Sequence, residues 1–161
     1  MRSKLKGLTE GMSVIVILII ATLILICLFP LIICYEIGSY YKNLTFSKEY
    51  NEYLSEIDEI IFFCYNDRAD SKVFIEKHIL PILASDVKVI FLNGRQVESN
   101  YQKPFVSRII YSIKDKKGFP YLIRVSKGQI FDCSLNNDLF NIMNQNKSVH
   151  TLIEKVNSFR P

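Results

Sequence analysis

An unbroken apolar run from Met12 to Cys34, MSVIVILIIATLILICLFPLIIC, contains no Asp, Glu, Lys or Arg. It restricts what the chain can fold into more than any other feature. At ~1.5 Å per residue, a helix of ~23 residues crosses the ~30 Å hydrocarbon core of a bilayer with length left for tilt. A helix buried in a globular core is rarely apolar on every face, so residues 12–34 read as a transmembrane helix whose partner is membrane lipid.

Cleaved or lipidated alternatives fit less well. An ordinary signal peptide has an apolar region of only ~7–15 residues ending at a small-residue cleavage site. Ile26 and Ile33 stand before Cys27 and Cys34, where a lipoprotein acylation motif carries a small residue, and the run lacks the Glu of a pilin-like leader. A permanent signal-anchor is the simplest reading. Arg2, Lys4 and Lys6 precede it, whereas Lys42 and Lys48 follow it mixed with Glu36 and Glu49. Basic residues resist translocation, so residues 1–11 are expected as a cytoplasmic tail and the rest of this single-pass chain as extracytoplasmic. Tyr35, Tyr40 and Tyr41 suit an aromatic belt at the outer interface. Pro30 is expected to kink the helix as a tolerated membrane proline.

The net charge is +4, but several of the basic residues flank the apolar run. The outer part interleaves Lys with Asp and Glu, which gives no reason to expect nucleic acid as a partner. The KDKK run from Lys114 to Lys117 reads as a solvated loop. Cys27 and Cys34 lie in the apolar run, leaving Cys64 and Cys133 outside it, neither in a CxxC pair. Cys64 follows Phe62 and Phe63 and reads as a buried, inert thiol. His78 and His150 lack further ligands at metal spacing, so no metal site is expected. No phosphate-binding, dinucleotide-binding or nucleophile-elbow motif occurs, and no cofactor is called for. Asp58 with Glu59, and Asp67 with Asp70, read as surface charge.

Residues 35–56 read as a stalk or linker that becomes partly helical. Asn43 begins one glycosylation sequon and Asn146 another, although such triplets are common by chance in an Asn-rich chain. Ile60–Tyr65, IIFFCY, is a strand buried on both faces. Lys72–Leu83 carries a helical apolar stripe, with Ser71 or Asp70 as cap and Pro81 bending or ending it. Val87–Leu92 is a second buried strand closed by Asn93 and Gly94. A helix is expected within Tyr101–Ile113, a strand over Tyr121–Val125, a turn at Lys127 and Gly128, and a strand over Gln129–Cys133. A helix follows at Asn137–Gln145, and another is open for Val149–Phe159.

The order strand, helix, strand, helix, strand, strand, helix resembles the thioredoxin-like superfamily. IIFFCYNDRADSK resembles the passage from its first strand into the redox turn, GFPYLIRV the segment where a cis-proline precedes the third strand, and SKGQIFD the hairpin into the last strand. The resemblance covers roughly residues 57–145. With the apolar run it leads to an expected α/β fold class: an N-terminal transmembrane helix followed by the thioredoxin-like three-layer α/β/α domain that the resemblance implies at 57–161. Where the family carries CxxC, this chain has Arg68, Ala69, Asp70 and Ser71, so the redox dithiol is missing. Dithiol exchange needs one thiolate to attack and a second to resolve the mixed disulfide. The fold also implies that Cys64 and Cys133 end their strands at opposite edges of the sheet and do not bridge.

By the same resemblance, Phe119 and Pro120 would face the Arg68–Ser71 turn. Arg68, Asp70, Ser71, Phe119 and Pro120 are then the candidate binding residues for an extended protein partner. The expected role is a protein-binding or assembly module at the membrane, more an adaptor than an enzyme. Two alternatives stay open: a one-cysteine thiol oxidoreductase using Cys64, and a structural subunit of a membrane complex whose helix does the main work.

Overall fold

The computed structural model describes residues 2–145 and 147–160, with no side chain before Ile17. The side chains of Arg2, Lys4 and Lys6, and Asn146 of the second sequon, therefore lie outside the described residues. The chain divides into Met1–Lys48 and Glu49–Pro161.

Helix α1 runs from Arg2 to Glu56 with Pro30 inside it. From Ile17 onward it is long and apolar enough to cross a membrane, with a mean hydropathy of 3.2 and none of the most apolar stretch buried. The Thr22 hydroxyl donates to the Leu18 carbonyl at 2.7 Å, which satisfies it inside the helix. The stalk is helical throughout rather than partly. Its last turns carry the buried side chains of Tyr50, Tyr53 and Leu54, so the compact part of the chain begins earlier than residue 57.

Glu49–Pro161 is a mixed α/β unit around a five-stranded sheet in the order β3-β2-β1-β4-β5. Strand β1 spans Ile61–Asn66, β2 Val87–Asn93, β3 Gln96–Glu98, β4 Tyr121–Ser126 and β5 Gln129–Ser134. β1 pairs in parallel with β2 and antiparallel with β4, while β2–β3 and β4–β5 are antiparallel. The β4–β5 hairpin turns at Lys127 and Gly128, both with positive φ, and the Lys127 N–H is held by the Asp58 carboxylate at 2.7 Å.

Side chains alternate across a strand, and β1 shows what that does. Ile61, Phe63 and Tyr65 face one side, where they pack with Leu122 of β4 and with Ile75, Ile79, Leu139 and Leu152. These last come from the π turn Ile75–Ile79, from α4 (Asn136–Gln145) and from α5 (Val149–Ser158). Phe62 and Cys64 face the other side and are fully buried. There Phe62 meets Tyr101 edge-on at 5.1 Å, and α3 (Lys103–Tyr111) contributes buried Phe105, Val106 and Ile109. The Phe105 ring lies 4.9 Å from Tyr53, which fastens the end of α1 to α3. A strand covered on both faces needs no polar side, hence the continuous IIFFCY pattern.

α2 spans Ala69–Phe74, then widens into a π turn over Ile75–Ile79 and tightens into a 3-10 turn over Leu80–Ile82. Pro81 has no N–H to continue an α-helical ladder. The N-cap is Arg68, without a side-chain cap, rather than Asp70 or Ser71. The structure adds β3 to the expected element order and closes with α5.

The strand directions correct one expectation about the cysteines. β5 is antiparallel to β4, which is antiparallel to β1, so β1 and β5 end at the same edge. They still do not bridge. Cys64 pairs with Tyr121 and Cys133 with Leu122, which puts the two thiols on opposite faces with β4 between them, ~10 Å apart at two strand spacings. That exceeds the reach of a disulfide, and both are free.

Candidate functional site

The turn after β1 is pinned from its first residue. Asp67 donates its N–H to the Leu92 carbonyl at 3.0 Å, and its carboxylate accepts from the Gly94 N–H at 3.0 Å. Arg68, Asp70 and Ser71 then line one side of a groove of about 170 Å³, with Asn136, Phe140 and Met143 of α4 among the residues opposite. Asp70 sits in the first turn of α2, where a negative charge suits the helix dipole. The Phe140 side chain is 57% exposed. The groove thus offers charges of both signs, amide groups and an apolar surface.

Of the expected site residues, Arg68, Asp70 and Ser71 come together, whereas Phe119 and Pro120 do not line this groove. The Phe119–Pro120 peptide is cis. Pro120 is buried and its carbonyl accepts the Leu135 N–H at 2.8 Å, while the Phe119 ring packs edge-on against Tyr121 at 4.9 Å. Because Cys64 pairs with Tyr121, the segment before β4 and the turn after β1 share one edge of the sheet. Asn136 links them. Its side chain lines the groove, and a Cβ placed on Gly118 would lie 3.5 Å from it. Gly118 has φ +103, a conformation open to glycine. Its N–H donates to the Tyr121 hydroxyl at 2.9 Å, and its carbonyl accepts from the buried Ser134 hydroxyl. Ser134 Oγ in turn accepts the Asn136 N–H at 3.2 Å.

Carboxylates of the KDKK run and of β5 support this edge. Asp115, inside KDKK, accepts the Ser134 N–H at 3.1 Å and the Lys117 N–H at 3.2 Å. Asp132 accepts the N–H groups of Lys114 and Asp115. The run is therefore stapled to β5 rather than simply solvated. The Ser134 N–H, with smaller help from Lys117, holds the Asp115 carboxyl below the usual carboxylate range. Phe140 left one trace in the sequence, as an aromatic lying off the Leu139–Ile142 face of its helix.

Cys64 is 0% exposed, and burial pushes its thiol far above its ordinary range, away from the thiolate that nucleophilic chemistry requires. Among the described residues, no three His, Cys, Asp or Glu side chains converge as metal ligands. Compared with protein families, curated proteins and solved structures, the chain matches none.

Proposed function

We propose that this chain is a single-pass membrane protein displaying a thioredoxin-like domain that has lost its dithiol and serves as a protein-binding or assembly module. The observation that carries it is the groove at Arg68, Asp70 and Ser71, a partly apolar concavity with no cysteine among its lining residues; on the superfamily reading this is the turn where the family carries its cysteines. The sheet order, the parallel β1–β2 pair, the antiparallel β4–β5 hairpin and the cis Phe119–Pro120 bond support the superfamily reading. The buried Cys64 weighs against the one-cysteine oxidoreductase. The length and hydropathy of α1 support the anchor, and the basic residues before the apolar run support an N-terminus in the cytoplasm.

A photo-crosslinking side chain placed at Ser71 or Phe140, in the full chain in its native membrane, tests the binding role. A discrete protein adduct at these positions and none at exposed Tyr111 on α3 is expected. Equal labelling at all three would sink the reading.

A further inference from the structure

The two edges of the sheet differ. An edge strand presents unpaired main-chain N–H and C=O groups, which proteins ordinarily guard by keeping the strand short, bulging it, or placing Pro or Lys on it. β3 is guarded by its length of three residues. β5, QIFDCS, runs for six residues, holds neither Pro nor Lys, and pairs with β4 residue for residue without a bulge.

The hairpin fixes which groups of β5 point outward. Its turn at Lys127 and Gly128 makes Ser126 and Gln129 a hydrogen-bonded pair. Gln129, Phe131 and Cys133 therefore direct their main-chain groups to β4, whereas Ile130, Asp132 and Ser134 turn theirs away from it. Two bonds fit this phase. The Leu135 N–H reaches inward to the Pro120 carbonyl at 2.8 Å, and the Ser134 N–H reaches outward to the Asp115 carboxylate at 3.1 Å. Asp115 thus seals one end of the edge. Before it, the main-chain groups of Ile130 and Asp132 have no partner among the described residues.

These groups border a groove of about 800 Å³, lined among others by Ser112, Lys114, Ile130, Phe131 and Asp132, that shares no residue with the groove at Arg68. On one face of β5, Phe131 is 41% exposed, with the Arg124 guanidinium 5.3 Å from its ring. On the other, the Lys114 ammonium has no ion pair among the described residues. The Asp115 and Asp132 carboxylates are both engaged by main-chain N–H groups.

We propose that β5 takes an extended segment of a partner protein as a sixth strand, which bonds the main chain of Ile130 and Asp132, rests an apolar side chain on Phe131 and places a carboxylate on Lys114. The edge itself specifies this occupant. Its outward groups recur every ~6.8 Å, a repeat that alternate residues of another strand reproduce and that a helix, its own groups bonded internally, does not. Successive strand residues face opposite sides, so the residue over Phe131 and the one beside Lys114 are neighbours: an apolar residue next to an acidic one. β5 of a second copy does not supply that carboxylate, because its Asp132 is already bonded to its own Lys114 and Asp115 N–H groups.

Panning of phage-displayed random dodecapeptides on the purified full chain in detergent tests the docking. Enriched clones are expected to carry an apolar residue beside Asp or Glu. A synthetic peptide of the leading clone is expected to bind Ile130→Pro and Lys114→Glu about tenfold more weakly than the parent, or worse. Ile130→Pro removes an outward N–H and no bond to β4. Lys77→Glu, the same charge change at an exposed position of the π turn, is expected to bind like the parent. Methylating the peptide's amide nitrogens one at a time is expected to abolish binding at alternate positions only. No enrichment, equal binding to the parent and both variants, or loss without alternation overturns the proposal. So does a dimer of the full chain in sedimentation that Ile130→Pro dissociates, which assigns the edge to a second copy. Should the melting curve show Ile130→Pro unfolded, Lys114→Glu and the methylation series decide.

Discussion

Ser134 shows how much one side chain can hold in this molecule. Its hydroxyl serves the Gly118 carbonyl and the Asn136 N–H, and its own N–H is taken by Asp115. Ser134→Ala leaves two backbone groups without their partner, and we expect a loss of about 1–3 kcal/mol, read as a lowered denaturation midpoint. Asp115 adds a pH dependence whose sign follows from its depressed pKa. Its contribution is fully present above the unfolded carboxylate pKa and is lost as pH falls through the lower folded value. Acid unfolding of Asp115→Asn should therefore be less steep than that of the parent, and identical profiles would remove Asp115 from this role. Cys64 should resist alkylation at neutral pH until denaturant is added; rapid labelling of the folded domain would revive the oxidoreductase alternative. The buried thiol was legible from its neighbours Phe62 and Phe63. The loop-holding role of Asp115 was not, because it depends on Ser134 of β5, and composition alone cannot distinguish a solvated charge from one holding a loop.

The elements were read best where one periodicity ran uninterrupted. IIFFCY, VKVIFL and YLIRV form strands as their apolar content requires. The three-residue strand β3, QVE, is too short and polar to announce itself; it exists because the hairpin at Gly94 returns it to β2, pairing Leu92 with Val97. The stalk hid its helix because its polar residues resemble a linker, while Tyr50 and Tyr53 gain their meaning from Phe105 of α3. Phe105→Ala removes the ring packed on Tyr53 and is expected to cost about 3–5 kcal/mol, measurable by chemical denaturation. Between α4 and α5 the Lys155–Asp138 pair at 2.7 Å is partly exposed, so Lys155→Met should change stability by less than about 1 kcal/mol. The hydrogen bond to Asp138 raises the Lys155 pKa, so this small contribution is present below the unfolded lysine pKa and lost as pH rises through the folded one.

At the scale of the whole chain, α1 and the sheet unit have different determinants. On the anchor reading proposed above, replacing Leu23 and Ile24 with Lys and Asp should move the chain from the membrane to the soluble fraction, since charges at mid-bilayer are costly. Exchanging residues 12–34 for an unrelated anchor should leave photo-crosslinking at Ser71 intact; its loss would favour the structural-subunit alternative. That α1 is long and apolar enough to cross a membrane follows from the residues alone, because transfer from water to hydrocarbon depends on the side chains and their number. The absence of cysteine from the Arg68–Ser71 turn is equally a matter of sequence. Only the tertiary structure decided that α4 supplies the other wall of the groove, that Pro120 lies outside it, and that Cys64 and Cys133 face opposite sides of the sheet. Those relations depend on strand register and helix packing between distant segments, which no local pattern of hydrophobicity encodes.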